Sequence, residues 1–384
     1  MFSSRLDWTV ATNPLTRLLH RKQAAGEILL DLTESNPTKA GLTYYQGEIL
    51  AALADSKSLL YEPAPAGLDA ARSAVSEYYA GGVPLDRILL TASTSEAYGF
   101  LFKLLANPGD EVLVPRPSYP LFEFLAALES VRVVPYPLVY HGSWTIDFDA
   151  LKARITAGSR AIVIVNPNNP TGSFVKKDEL RRLAALCDAQ GLAIISDEVF
   201  CDYALEENPS RVRSLVDLED VLSFSLSGLS KVSGLPQMKL GWIVANGPES
   251  LRKQAVDRLE LIADTYLSAS TPVQWAAGRL LGMRGEIQAQ IQARASGNLR
   301  MLREQIGRDS PWRVLEVEGG WYAVIEAPRI HTEEEWALTL LDQDNVLLQP
   351  GFFFDFDREA FLVVSLLTRP EIFGEGVRRI LAHV

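Results

Sequence analysis

One amine among small residues is the chemical landmark of this chain. Lys231 lies in Ser225-Leu-Ser-Gly-Leu-Ser-Lys231-Val-Ser-Gly-Leu-Pro-Gln-Met-Lys239, behind a strand-like run that starts at Val221. A lysine buried among apolar and small neighbours is costly unless it has a task, and its amine can condense with an aldehyde. Upstream lie Asn166-Pro-Asn-Asn169-Pro-Thr-Gly172 and Ser196-Asp197-Glu-Val-Phe200. Each segment alone is weak: Asp197 reads equally as a helix cap, and the amide run as a Pro/Gly turn. Together they supply an amine for a Schiff base, a carboxylate for a pyridinium nitrogen and a donor for a ring oxygen. Those are the needs of pyridoxal 5'-phosphate.

The rest of such a site is also on offer. Thr91-Ala-Ser-Thr94-Ser95 ends a strand pattern and opens a helix, and backbone N–H groups with hydroxyls at a helix start suit a phosphate. Thr94 and Ser95 are the candidates, with Lys239 the nearest cation by sequence; Lys239 reads as well as a solvated lysine. Tyr119, in Pro117-Ser-Tyr-Pro120, is placed to stack on a ring, or to sit in the core.

The elements that must position these groups alternate. Arg87–Thr91, Glu111–Pro115, Arg160–Val165, Leu192–Ser196, Val221–Ser225 and Gly241–Ala245 read as strands. Glu96–Leu105, Leu121–Leu128, Lys177–Gln190 and Pro248–Thr265 read as helices. Continuous apolar runs suit a mostly parallel sheet covered on both faces. In such a fold the carboxyl ends of the strands bind the ligand, and all the marked loops fall there. Further on, Trp312–Val317, Trp321–Glu326 and Phe361–Leu367 read as strands of a smaller sheet, with helices over Glu333–Leu341 and Glu375–Leu381. The expected organisation is an α/β chain: residues 1–40 joining a small domain, 41–275 the large cofactor-binding domain, and 276–384 the small C-terminal domain.

Composition narrows the partners. The 384 residues are 47% hydrophobic and 22% charged, with a net charge of −11. That balance argues against a nucleic-acid partner, since phosphate backbones want basic patches, and against an anionic membrane surface. Two cysteines, Cys187 and Cys201, give no disulfide framework or metal spacing, and the four histidines are scattered. Met1–Trp8 lacks the apolar stretch of a signal peptide, so a cytoplasmic location is expected.

These segments resemble the class I/II aminotransferases among the fold-type I pyridoxal-phosphate enzymes, over almost the whole chain. Asn-Asn-Pro-Thr-Gly, Asp-Glu-Val and Ser-Lys come in that family's order and at about its spacing. The resemblance implies an aspartate-aminotransferase-like fold and amino-group transfer from an amino acid donor to a 2-oxo acid by ping-pong halves. It implies that Lys231 carries the cofactor and shuttles the proton. Asp197 would pair with the pyridinium, Asn169 would bond the ring oxygen, Tyr119 would stack, and Ser93–Ser95 would hold the phosphate. Tyr61, in Tyr61-Glu-Pro-Ala-Pro-Ala-Gly67, would reach the phosphate of a neighbouring subunit, which implies a homodimer.

Four positions depart from the family pattern. Phe200 replaces the usual tyrosine, so Asn169 acts on the ring oxygen with less help. Lys239 replaces an arginine and loses its bidentate fork. Gly228 replaces a phosphate-binding serine, with Ser227 and Ser230 as substitutes. Val363, in Phe361-Leu-Val363-Val-Ser365, replaces the arginine that grips the substrate carboxylate; Arg369, Asn36 and Asn169 are the remaining candidates for that grip. The missing arginine keeps open a lyase or decarboxylase using the same cofactor. A cofactor-binding regulator is disfavoured by the acidic charge, and a nucleotide-binding Rossmann enzyme by the lack of G-x-G-x-x-G after a strand.

Overall fold

Apolar strands of β-branched residues set the centre of the molecule. The computed structural model describes residues 2–6 and 12–383; the Met1–Trp8 reading falls partly outside them. The strands in chain order are β1 (Leu30–Asp31), β2 (Ile88–Thr91), β3 (Glu111–Arg116), β4 (Arg132–Tyr140), β5 (Trp144–Ile146), β6 (Ser159–Val165), β7 (Ala193–Asp197), β8 (Ser223–Gly228), β9 (Gly241–Asn246), β10 (Arg313–Val314), β11 (Tyr322–Glu326), β12 (Val346–Leu347), β13 (Gln349–Pro350) and β14 (Phe361–Ser365). Eight form one sheet in the order β2-β9-β8-β7-β6-β3-β4-β5. The run β8-β7-β6-β3-β4 is parallel, while β2, β9 and β5 join antiparallel.

Alternation along the strands divides the core between two faces. Val163, Ile195 and Phe224 pack with Ala97, Leu101 and Leu259 of the helices Thr94–Leu105 and Glu249–Asp264. Ile162, Ile164 and Ile194 face the other way, toward Leu183 and Cys187 of Lys177–Gln190. A fully buried Leu or Ile contributes about 1.5–3 kcal/mol, so these central strands are rigid supports for the loops at their ends.

A second, antiparallel sheet runs β10-β11-β14-β13. It packs with Arg284–Ile306, Glu333–Asp344 and Pro370–Leu381 around Trp312, Trp336, Leu340, Leu362 and Phe373. Strand β1 pairs in parallel with β12, Leu30 opposite Val346, so the early chain is bound into the late one.

Two small-sheet expectations change. The strand read over Trp312–Val317 shortens to Arg313–Val314: the Glu316 N–H turns to the Tyr140 hydroxyl, and the Glu318 carbonyl accepts from Leu205. The last helix starts at Pro370, five residues before the expected Glu375, with proline in the first turn, where its missing N–H costs nothing. The 23-residue helix Arg284–Ile306 escapes a sequence reading. Its buried side, Ile287, Ile291, Ala295, Leu299, Leu302 and Ile306, is regularly spaced but diluted by Gln, Ala and Gly.

Candidate active site

Strand register puts the marked groups together. Val165 lies opposite Asp197, and Asp197 opposite Leu226. The Asn166 N–H donates to the Asp197 carbonyl at 2.8 Å. Lys231 follows β8 in the short helix Leu229–Val232.

Asp197 is buried at the end of β7. It accepts from the Val199 N–H at 3.2 Å and from the Tyr98 hydroxyl at 3.3 Å. Burial pushes its carboxyl up to about 6, against the pull of those two bonds and of Lys231. The Lys231 amine moves the other way, down to about 8, because burial disfavours its charge more than Asp197 restores it. These shifts have the signs of a desolvated amine and carboxylate brought close together. The neighbouring Glu198 is also buried and raised to about 7, with the Ser214 hydroxyl and Leu215 N–H donating to it at 2.5 and 2.9 Å.

The amide run divides into scaffold and free group. Asn166 accepts from the Val175 N–H and donates to Val212 O. Asn168 donates to Pro117 O and Thr171 Oγ1 and accepts from Ser118 Oγ, tying down the loop that carries Tyr119. Asn169 alone is left with a buried side-chain oxygen that has no partner. The Tyr119 hydroxyl is pushed up by burial and then by the Asp197 charge, which places it on the same side.

The candidate phosphate site lies at a helix start packed closely against strand backbone. Ser93 caps Thr94–Leu105 by accepting from the Glu96 N–H at 3.2 Å, and the first intrahelical bond is Ala97 N–H to Ser93 O. The N–H groups of Thr94 and Ser95 therefore precede the helical ladder. A Cβ on Gly241 would stand 3.0 Å from the Ser93 backbone and 3.1 Å from Thr91 Oγ1. A Cβ on Gly228 would stand 2.9 Å from Leu240 O, so the serine common at that position has no room here. The buried Ser227 hydroxyl beside it has no partner. Lys239 is exposed in a left-handed conformation, φ 52°, without an ion pair among the described residues.

Other candidates lie further out. The Asn36 side chain accepts from the N–H and hydroxyl of Thr38, shaping the turn to Ala40. Arg369 is exposed against Gly41, with Arg294 as a charged neighbour. Tyr61 is 75% exposed. Val363 is fully buried in the apolar layer shared with the large sheet, opposite Val324.

Three aromatic residues join the site without being singled out by sequence: Tyr98, Tyr203 and Trp321. The Tyr203 hydroxyl donates to Lys231 O at 2.6 Å, and the Trp321 ring lies 4.9 Å from Lys231 Nζ. For Tyr98 the signal was present, one turn into the helix that opens at the phosphate loop. Tyr203 reaches the Lys231 backbone from 28 residues away within the same half of the chain, whereas Trp321 comes to the amine from just ahead of the small-sheet strand β11.

A half-buried lysine whose amine is desolvated near a buried carboxylate, an asparagine that makes no side-chain hydrogen bond and a helix start with N–H groups ahead of its ladder fit pyridoxal 5'-phosphate. The family model "Aminotransferase class I and II" matches residues 27–379. The chain belongs to this family. It is an aminotransferase of the pyridoxal-phosphate-dependent, fold-type I class. It is 30% identical over 361 residues to the glutamate-pyruvate aminotransferase AlaA of Escherichia coli, covering 89% of this chain and 82% of AlaA. It is 28% identical over 331 residues to nicotianamine aminotransferase A of Hordeum vulgare, covering 82% and 70%. A solved aminotransferase from Escherichia coli superposes with a TM-score of 0.88 at 26% identity, covering 100% and 97%. The aminotransferase shares this architecture over its whole length. Among the described residues no group of His, Cys, Asp or Glu is arranged to hold a metal, and no helix is long and apolar enough to cross a membrane.

Proposed function

We propose that this aminotransferase holds pyridoxal 5'-phosphate on Lys231 and uses it to pass an amino group from an amino acid to a 2-oxo acid. The cofactor, when bound, supplies an electron sink for the Cα–H bond. The observation that carries the reading is the pairing of a desolvated Lys231 amine with a buried Asp197 carboxylate. Asp197, held by Tyr98 and Val199, keeps its charge under the ring nitrogen. Asn169 bonds the ring oxygen, without help from a hydroxyl at Phe200. Tyr119 covers one ring face. Thr94 and Ser95, with Ser227 and Lys239, hold the phosphate. Lys231, its amine eased toward neutrality by burial, takes a proton at Cα and returns it on the other side of the transfer.

The reading extends to organisation. Tyr61, exposed beside Leu59 and Leu60, supports a homodimer in which it reaches the partner's phosphate. Residues 41–275 serve as the large domain, and 1–40 with 276–384 as the small one. A cytoplasmic location goes with this function. Asn36, Asn169 and Arg369 are the candidates for holding the substrate carboxylate. Glutamate and pyruvate are the first pair to try, from the named activity of the AlaA relative.

Val363 in an apolar layer favours one second reading, a lyase or decarboxylase on the same cofactor. Purified protein mixed with a panel of L-amino acids, without any oxo acid, separates the two. Transfer converts the visible band of the bound aldehyde to that of the amino form. A lyase or decarboxylase keeps the band and releases pyruvate with ammonia, a thiol or carbon dioxide.

A further inference from the structure

Trp321 stands where the small sheet meets the amine of Lys231. Its ring centre is 4.9 Å from Nζ, and that of Phe200 is 5.5 Å. Within about 6 Å a ring attracts an ammonium group. The Trp321 ring packs edge-on against both Phe200 and Tyr203, with centroids 5.1 Å apart in each pair. Trp321 is fully shielded from solvent and Phe200 nearly so.

The backbone leading to Trp321 is fixed to the large domain. Glu318, buried, accepts from Lys176 Nζ at 2.6 Å, from Arg211 Nε at 3.3 Å and from the Phe174 N–H at 2.9 Å. A Cβ on Gly319 would stand 2.6 Å from the Phe174 ring and 2.7 Å from Tyr203 O, so only glycine passes there. The Gly320 N–H donates to Tyr203 O at 2.9 Å. Tyr203 therefore touches both sides: its hydroxyl holds the Lys231 carbonyl, its own carbonyl holds Gly320, and its ring packs on Trp321.

We propose that Trp321 is a positioning residue for the Lys231 amine: with Phe200 it forms an aromatic wall that favours the amine as a cation whenever it is not bonded to cofactor, and so carries the seating of the small sheet to the proton-transfer group. The proposal rests on Lys231 being the amine that takes the cofactor. Asp197 is the charged group acting on that amine, and it too favours the cation. Tyr203 faces the lysine's backbone, and Tyr44 bonds Gly234 O at 2.8 Å, beyond the amine. Burial opposes the wall and Asp197.

The test is the rate at which full-length protein, freed of cofactor, takes up pyridoxal 5'-phosphate, followed by its visible absorbance across neutral to alkaline pH. The neutral amine attacks the aldehyde carbon; a C=N bond replaces C=O, and the oxygen leaves as water. The pH midpoint of that rate therefore reports the amine's proton. Removing the wall with Trp321→Leu is expected to move the midpoint down by about one pH unit, with Trp321→Phe recovering most of the shift. Phe200→Leu should move it the same way by less, which serves if Trp321→Leu does not fold. An unmoved midpoint overturns the wall. So does an upward move, which would mean that the ring acts only by excluding water. If Lys231→Ala gives the same band as the wild type, the reading of Lys231 itself fails.

Discussion

Tyr98 and Asp197 meet at 3.3 Å, one on the helix Thr94–Leu105 and the other at a strand end 99 residues further along the chain. The contact gives the buried carboxylate a hydroxyl donor in addition to the Val199 N–H, so its charge can survive in a position where burial alone would protonate it. Removing the charge while keeping the shape isolates its role. Asp197→Asn is expected to lower turnover by about 10²–10³-fold, the range of one lost electrostatic partner, and to weaken cofactor retention on dialysis. A variant with wild-type turnover would remove Asp197 from the mechanism.

Lys231→Ala should abolish the covalent link. After borohydride reduction and digestion, the wild-type chain should carry the cofactor label on the peptide containing Lys231, and the variant none. Label on another lysine would reassign the site.

Phe200→Tyr returns a hydroxyl to the wall beside the amine. If Asn169 serves the ring oxygen alone in the wild type, the added donor stabilises the ionised oxygen. The pH midpoint of the visible band of the loaded enzyme should then fall relative to wild type. Equal midpoints would show that Phe200 has no influence on the ring oxygen.

Glu318→Gln should cost about 3–5 kcal/mol of stability, because Lys176 and Arg211 would each lose their carboxylate in a largely buried setting. Thermal unfolding is the check. A loss of only a few tenths would mean that water takes over the pairing.

Glu198 links stability to pH. Its carboxyl rises from 4.5 unfolded to about 7 folded, so the folded state binds the proton more tightly. Its stabilising contribution is fully present below the unfolded value and is lost as pH rises through about 7. Relative to Glu198→Gln, the wild type should lose on the order of 3 kcal/mol between pH 4.5 and 7. Parallel stability curves for the two proteins would contradict the assignment.

The parts of the fold legible in sequence were those whose signals are local. Apolar runs such as Ala161–Val165 announced central strands, and the Pro/Gly-rich Asn166–Gly172 announced a loop at a strand end. Lys231, Asp197 and Asn169 stand out as candidates because their neighbours in the chain set them apart. Trp321 and Tyr203 do not: Trp321 meets the Lys231 amine from a segment that leads into the other sheet, and the Tyr203 hydroxyl holds a backbone carbonyl 28 residues away with no local motif to mark it. Nor could sequence show that Asn166 is spent on backbone groups and Asn168 on Pro117 O and the Thr171 and Ser118 hydroxyls, while Asn169 is left over. Gly228 looked like the loss of a phosphate ligand; the Leu240 carbonyl 2.9 Å from where its side chain would start explains the glycine.

The pairing of Leu30–Asp31 with Val346–Leu347 has a consequence for biosynthesis. A ribosome making this chain releases the first partner long before the second exists. The early segment must wait, unpaired, through the synthesis of nearly the whole polypeptide, and parallel pairing at such separation is slow to close. The strand that follows Trp321 waits as well, because β11 pairs with β14 at Phe361–Ser365, near the end of the chain. The eight-stranded sheet, whose last strand ends at Asn246, is complete in the nascent chain well before either late pairing partner exists, and domains of this size generally form as they are made.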